Sequence, residues 1–126
     1  MNLSLRKNIT IKEIECKCGC GLSSISSASL DIVQDARDHF KKPVVVHSAC
    51  RCKNHNKAVG GKKKSKHQPL ENKTSRAIDF HIKGVTIGEL YSYLFKKYPN
   101  CLGLGKYKSF VHIDDRMDRA YRWDLR

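Results

Sequence analysis

Acidic and imidazole side chains recur at alternate positions in two short stretches of this sequence. In residues 77–82 (AIDFHI), Asp79 and His81 alternate with apolar residues, as in a strand with one buried face. His112 lies in a second alternating run, and His67 precedes the first. Carboxylate and imidazole groups are ligands that zinc uses in proteins. These four side chains are therefore candidate ligands of a zinc ion.

The second run, FVHID, also has a period of two. His112 and Asp114 fall on one face of the predicted strand, and Val111 and Ile113 fall on the other. If the two apolar residues are buried, His112 and Asp114 share the exposed face. That face can then meet the polar face of the strand that carries Asp79.

The elements that must position these side chains follow from periodicity and capping residues. A lead-in over residues 1–15 is expected to be extended, and helical spacing predicts a helix over residues 27–42 that Pro43 ends. The run Val44 to Val46 predicts a buried strand. Thr86 begins a second helix, and residues 102–107 and 110–114 predict a β-hairpin. The fold class is α+β, with a small, mainly antiparallel sheet flanked by helices.

Length and charge limit the possible functions. The 126 residues predict a single domain over 1–126, with residues 1–26 as a Cys-containing lead-in segment. The net charge of +13 attracts polyanions such as nucleic acid or an anionic cell wall. The charge alone does not choose between them: the sequence contains no recognised nucleic-acid module and no aromatics between its basic residues, which makes nucleic acid a less expected partner, and an anionic cell wall would attract the chain equally well. We expect no membrane insertion, since no apolar run is long enough to cross a bilayer.

The amino-terminal residues lack the features of a secretory signal, so we expect a protein that is cytoplasmic as synthesised. Six cysteines form two clusters and one isolated position. The first cluster is Cys16, Cys18 and Cys20; the second is Cys50 and Cys52; and Cys101 stands alone. A structural zinc site, a disulfide formed after release from the cell, and packed thiols are all compatible with this spacing.

The chain resembles the zinc D-Ala-D-Ala carboxypeptidase family of cell-wall peptidases, in particular its small phage and prophage-type members, which share a core with the hedgehog signalling domain. The resemblance rests on six blocks in a common order: IKEIECKCGCG, KKPVVVHSACRCKNHNKAVGG, SKH, RAIDF, GLGKYKSFVHIDDR and RAYRW. It implies a hedgehog/DD-peptidase-like fold and one catalytic Zn²⁺. A zinc-activated water would hydrolyse peptide bonds in D-amino-acid-containing stem peptides of peptidoglycan.

The family pattern SxHxxGxAxD, followed by FVHxD, implies that His67, Asp79 and His112 are the zinc ligands. The interval between the first two is longer here than in the family, and His81 is the natural substitute for His67. Asp114 is the first candidate for the general base; the alternative is that it orients a ligand or pairs with an arginine.

The resemblance further implies that Arg51 contacts the substrate near the scissile carbonyl and takes part in catalysis, with Ser48 and Ser65 as additional substrate-binding residues. The expected protein is a monomer that acts as a phage lysin on the cell wall when released. Two alternatives remain open. One is a catalytically inactive, zinc-containing cell-wall-binding module, and the other is a basic nucleic-acid-binding protein with structural zinc.

Overall fold

The computed structural model describes residues 4–17, 25–50, 75–116 and 119–125. Near the amino terminus, the described chain forms a short hairpin and a single helical turn rather than a fully extended lead-in. Its elements are β1 (Ser4–Arg6), β2 (Ile9–Thr10) and α1 (Ile11–Ile14). The remaining elements are α2 (Ser27–Phe40), β3 (Val44–Ser48), β4 (Ala77–Ile82), α3 (Ile87–Lys97), β5 (Gly103–Tyr107), β6 (Val111–Asp114) and β7 (Tyr121–Leu125).

Both long helices begin where capping residues predict. The Ser26 hydroxyl accepts a hydrogen bond from the Ser29 backbone N–H at the start of α2. Thr86 and Glu89 form the predicted capping box of α3, in which each side chain accepts from the other residue's backbone N–H. These caps satisfy donors that the first helical turn leaves without intrahelical partners.

The main sheet has five described strands in the order β3-β4-β6-β5-β7. The pairs β3/β4, β4/β6 and β5/β6 are antiparallel, and β5/β7 is parallel. The predicted hairpin is confirmed, because β5 and β6 are antiparallel neighbours joined by the three residues 108–110. The α+β class with a mainly antiparallel sheet is therefore confirmed.

The strand of Val44 to Val46 is not buried as predicted. In the described sheet, β3 is the first strand in the order and pairs with β4 alone. Val45 is 39% exposed, whereas Val44 and Val46 pack against the core. A β-branched run fits both edge and central strands, so local sequence cannot distinguish the two positions.

One face of the sheet packs against the helices. Ile78, Phe80 and Ile82 of β4 are fully buried, as are Val111 and Ile113 of β6. They share a hydrophobic cluster with helix residues Leu30, Val33, Ala36, Leu90 and Leu94. The alternation predicted for both strands is confirmed, and it leaves Asp79 and His112 on the opposite face.

No helix within the described ranges is long and apolar enough to cross a membrane.

Candidate metal centre

A single row of residues crosses all five strands of the main sheet on the face opposite the helices. Ser48 pairs with Asp79, Asp79 with His112, His112 with Gly105, and Gly105 with Trp123. Residues directly opposite one another on neighbouring strands project to the same face of a sheet. The register therefore brings two predicted ligands, which are 33 residues apart in the chain, into contact.

His112 lies between two carboxylates. Its Nδ1 is 2.8 Å from Asp79 Oδ1, and its Nε2 is 3.0 Å from Asp114 Oδ2. The residue is only 8% exposed. Burial lowers the pKa of His112, but hydrogen bonds to Asp114 and Asp79 outweigh that effect and raise the pKa above its ordinary value. The imidazole is thus held in one orientation.

Asp114 is fully buried and engaged through both oxygens. The guanidinium of Arg116 donates to Oδ1 at 2.7 Å and to Oδ2 at 2.9 Å, and the Gly103 backbone N–H donates to Oδ1 at 3.2 Å. Burial acts to raise the pKa of Asp114, but the hydrogen bonds from His112 and Arg116 hold it well below the usual range. A carboxylate with so low a pKa is a weak proton acceptor near neutral pH.

The charge on Asp114 also determines the tautomer of His112. An ionised carboxylate only accepts hydrogen bonds, so Nε2 must carry a proton. When His112 is neutral, Nδ1 therefore presents its lone pair towards Asp79. Histidine ligands of metals are commonly oriented in this way, with the second ring N–H donated to a carboxylate. This geometry favours an orienting role for Asp114, and its predicted role as general base stays a prediction.

Two glycines of β5 make room for these groups. A Cβ atom on Gly103 would overlap the carboxylate of Asp114, and one on Gly105 would overlap the indole of Trp123. The Trp123 ring lies 5.0 Å from the His112 ring, and its Nε1 donates to the Tyr107 hydroxyl at 3.0 Å. The GLG segment thus lets an aromatic wall approach the histidine.

A second pair of imidazoles lies beside this row. His47 Nε2 and His81 Nδ1 are 2.7 Å apart, and the His47 ring contacts Phe110 at 5.2 Å. Phe110 in turn stacks on Tyr107 at 4.5 Å. Burial and the neighbouring His81 lower the pKa of His47, although the charge of Asp79 partly opposes them.

The fit to zinc rests on Asp79 and His112. Their facing carboxylate and imidazole atoms, with the second imidazole nitrogen held by a carboxylate, have the donor chemistry of a zinc site. No group of three potential ligands forms within the described ranges. Of the two candidates for a third ligand, His81 shares a hydrogen bond with His47, and His67 lies outside the described residues.

Of the other predicted site residues, some lie within the described ranges and some lie outside them. Ser48 lies opposite Asp79. Arg51 and Ser65 lie outside the described residues, as do Cys18, Cys20 and Cys52. Cys16 and Cys50 are both buried, and the Cys50 backbone N–H donates to the Ile14 carbonyl at 2.9 Å. Ile14 and Cys50 therefore adjoin, and a structural metal or disulfide stays a prediction.

Sequence reasoning missed four parts of this face: Arg116, the two β5 glycines, Trp123 and His47. His81 was identified as a candidate ligand from its alternation with Asp79, but its contact with His47 depends on the bulge in β3 and was not predicted. Trp123 could not have been found in this way, because its place depends on the parallel pairing of β7 with β5.

Comparison with known proteins agrees with the geometry. The family model described as Peptidase M15 matches residues 7–114. No curated protein and no solved structure matches the chain. The family match covers most of the 126 residues and includes the facing pair Asp79 and His112. The chain therefore belongs to the peptidase M15 family, whose members are zinc-dependent peptidases.

Proposed function

We propose that this protein is a zinc peptidase that hydrolyses peptide bonds in the stem peptides of peptidoglycan. The observation that supports this proposal best is the contact between Asp79 and His112, with the second nitrogen of His112 held by Asp114. Family membership supports the same chemistry. The net charge of +13 suits an anionic cell wall as the site of action.

In this proposal, His67, Asp79 and His112 hold the zinc ion. When bound, zinc supplies Lewis-acid chemistry, which polarises the scissile carbonyl and activates water. His112 Nδ1 faces Asp79 and is the nitrogen that would hold the metal, so any proton on Nδ1 would have to leave when zinc binds. Asp114 keeps the remaining ring proton on Nε2 and so maintains the orientation of the ligand.

Arg51 and Ser65 are proposed to contact the substrate, with Ser48 beside Asp79 in the same row. The fixed charge of Arg51 suits either the developing oxyanion or a substrate carboxylate. The enzyme is proposed to reach its substrate after release from the cell, in the manner of a phage lysin.

The experiment is a digest of purified peptidoglycan followed by mass analysis of the released muropeptides. We expect cleavage by the zinc-loaded protein, loss of cleavage after chelation, and recovery when zinc is restored. His112→Ala should bind no catalytic zinc and show background activity, because it removes a ligand. His39→Ala is the matched control, since His39 lies exposed on α2. Cleavage by His112→Ala at the wild-type rate would refute the proposal.

One observation favours a second candidate, a metal-holding wall-binding module without activity. Asp114 is ion-paired with Arg116 and has a depressed pKa, so it is poorly suited to accept a proton. This candidate predicts bound zinc and sedimentation with cell walls, without release of muropeptides. The same digest distinguishes the two functions.

A further inference from the structure

The histidine pair on the site face has no part in the function proposed above. A β-bulge creates it: Val46 pairs with Phe80 and Ser48 with Asp79, which leaves His47 as the extra residue of β3. Bulges occur next to active sites, where they redirect a side chain. Here the bulge brings His47 Nε2 to 2.7 Å from His81 Nδ1.

The pair has a defined hydrogen-bonding character. A neutral imidazole has one N–H donor and one acceptor nitrogen. In a pair of neutral imidazoles the shared hydrogen bond uses one donor and one acceptor, which leaves one donor and one acceptor on the outer nitrogens, His47 Nδ1 and His81 Nε2. Reversing the shared bond exchanges their roles but keeps one of each. Within the described residues, neither outer nitrogen makes a hydrogen bond to the protein.

One residue of an extended peptide presents the complementary set on one side of its backbone, an N–H donor and a carbonyl acceptor. Both histidines are partly exposed, and Phe110 supports the His47 ring from one side. The pair is therefore ordered by protein contacts but still open to a ligand.

Its distance from the metal ligands suits a substrate backbone. His81 lies two residues from Asp79 on the same face of β4, which corresponds to about 7 Å along the strand. An extended peptide advances about 3.4 Å per residue. A substrate whose scissile carbonyl lies at Asp79 and His112 would thus bring a peptide group to the pair one or two residues away.

We propose that His47 and His81 form a subsite that binds the backbone N–H and carbonyl of one substrate residue, one or two residues from the scissile bond. This inference rests on the proposed function, because it requires a peptide substrate. The subsite selects for an intact peptide backbone and is insensitive to the side chain at that position.

The test uses His47→Phe and His81→Phe, which keep a planar ring and remove both nitrogens. His39→Phe is the control, because His39 lies on α2 and stacks on Tyr93. With a soluble stem pentapeptide as substrate, we expect each site variant to raise KM about tenfold, the size of one to two lost hydrogen bonds. Values of kcat should stay within about twofold of the wild type, as for uniform binding. Zinc content should not change.

A second measurement isolates the peptide group. One non-scissile amide at a time is replaced by an ester, which removes the N–H group. At one position the wild type should lose about tenfold in kcat/KM, and His81→Phe should lose nothing further. Three results would each overturn the inference. They are equal losses in both proteins at every position, an unchanged KM in the site variants, and loss of zinc from those variants.

If the wild type cleaves no peptide, the proposed function fails and the subsite falls with it. If the wild type cleaves the peptide and the site variants have wild-type KM and kcat, the subsite is wrong and the proposed function stands.

Discussion

Histidine occupies two different environments on one face of the same sheet. His112 lies between two carboxylates, is almost fully buried, and has a raised pKa. His47 and His81 hydrogen-bond to each other on partly exposed strands, and the pKa of His47 is lowered. The partner, rather than the residue type, therefore decides what each imidazole can do. Carboxylates orient the ring of His112 on both sides, whereas the paired imidazoles hydrogen-bond only to each other within the described residues.

The largest expected effect concerns the carboxylate that holds His112. Asp114→Asn keeps the shape of the side chain and removes its charge. If Asp114 orients His112, zinc affinity and activity should both fall by about 10- to 100-fold. The measurements are zinc titration with a competing chelator and the muropeptide digest.

Asp115→Asn is the matched control, because the neighbouring carboxylate pairs with Arg76. If Asp114→Asn loses about 100-fold or more in kcat while zinc affinity is unchanged, Asp114 acts as the base instead. The contrast between the two histidine environments would then rest on His112 and Asp79 alone.

A smaller effect is expected from filling the space beside Asp114. In Gly103→Ala, the added Cβ would overlap the Asp114 carboxylate, so we expect a loss of about 1–3 kcal/mol in the free energy of unfolding. Gly88→Ala in α3 is the control, because its nearest contact is the flexible end of Lys106 at 3.8 Å. That helical substitution should stabilise the protein by about 1 kcal/mol. Urea unfolding of both variants measures the difference, and equal stabilities would contradict the close packing of β5 against Asp114.

The smallest effect is a difference in protonation that NMR can follow in the zinc-free protein. Since the pKa of His112 is raised, its stabilising contribution is complete below about pH 6.5 and is lost as the pH rises through the raised value. Since the pKa of His47 is lowered, its environment destabilises the folded state as the pH falls below about 6.5. Imidazole resonances should show His47 losing its proton at a lower pH than His112. If His112 loses its proton at a lower pH than His47, the proposed difference between the two histidine environments is wrong.

Much of the fold could be predicted because local physics dictates it. The period of two in β4 and β6 separated Asp79 and His112 from the apolar residues, and burial of Ile78 and Val111 agrees with that separation. The capping box at Thr86 located the start of α3. Less could be predicted for β3, because its edge position depends on which strands pair with it.

The sequence by itself determined which side chains share a face, because alternation is a property of a single strand. It also identified the residue types that zinc requires. The tertiary structure alone decided the register that sets Asp79 opposite His112, the bulge that turns His47 towards His81, and the parallel pairing that brings Trp123 over Gly105. Register and pairing depend on packing between distant segments, so no local pattern contains them.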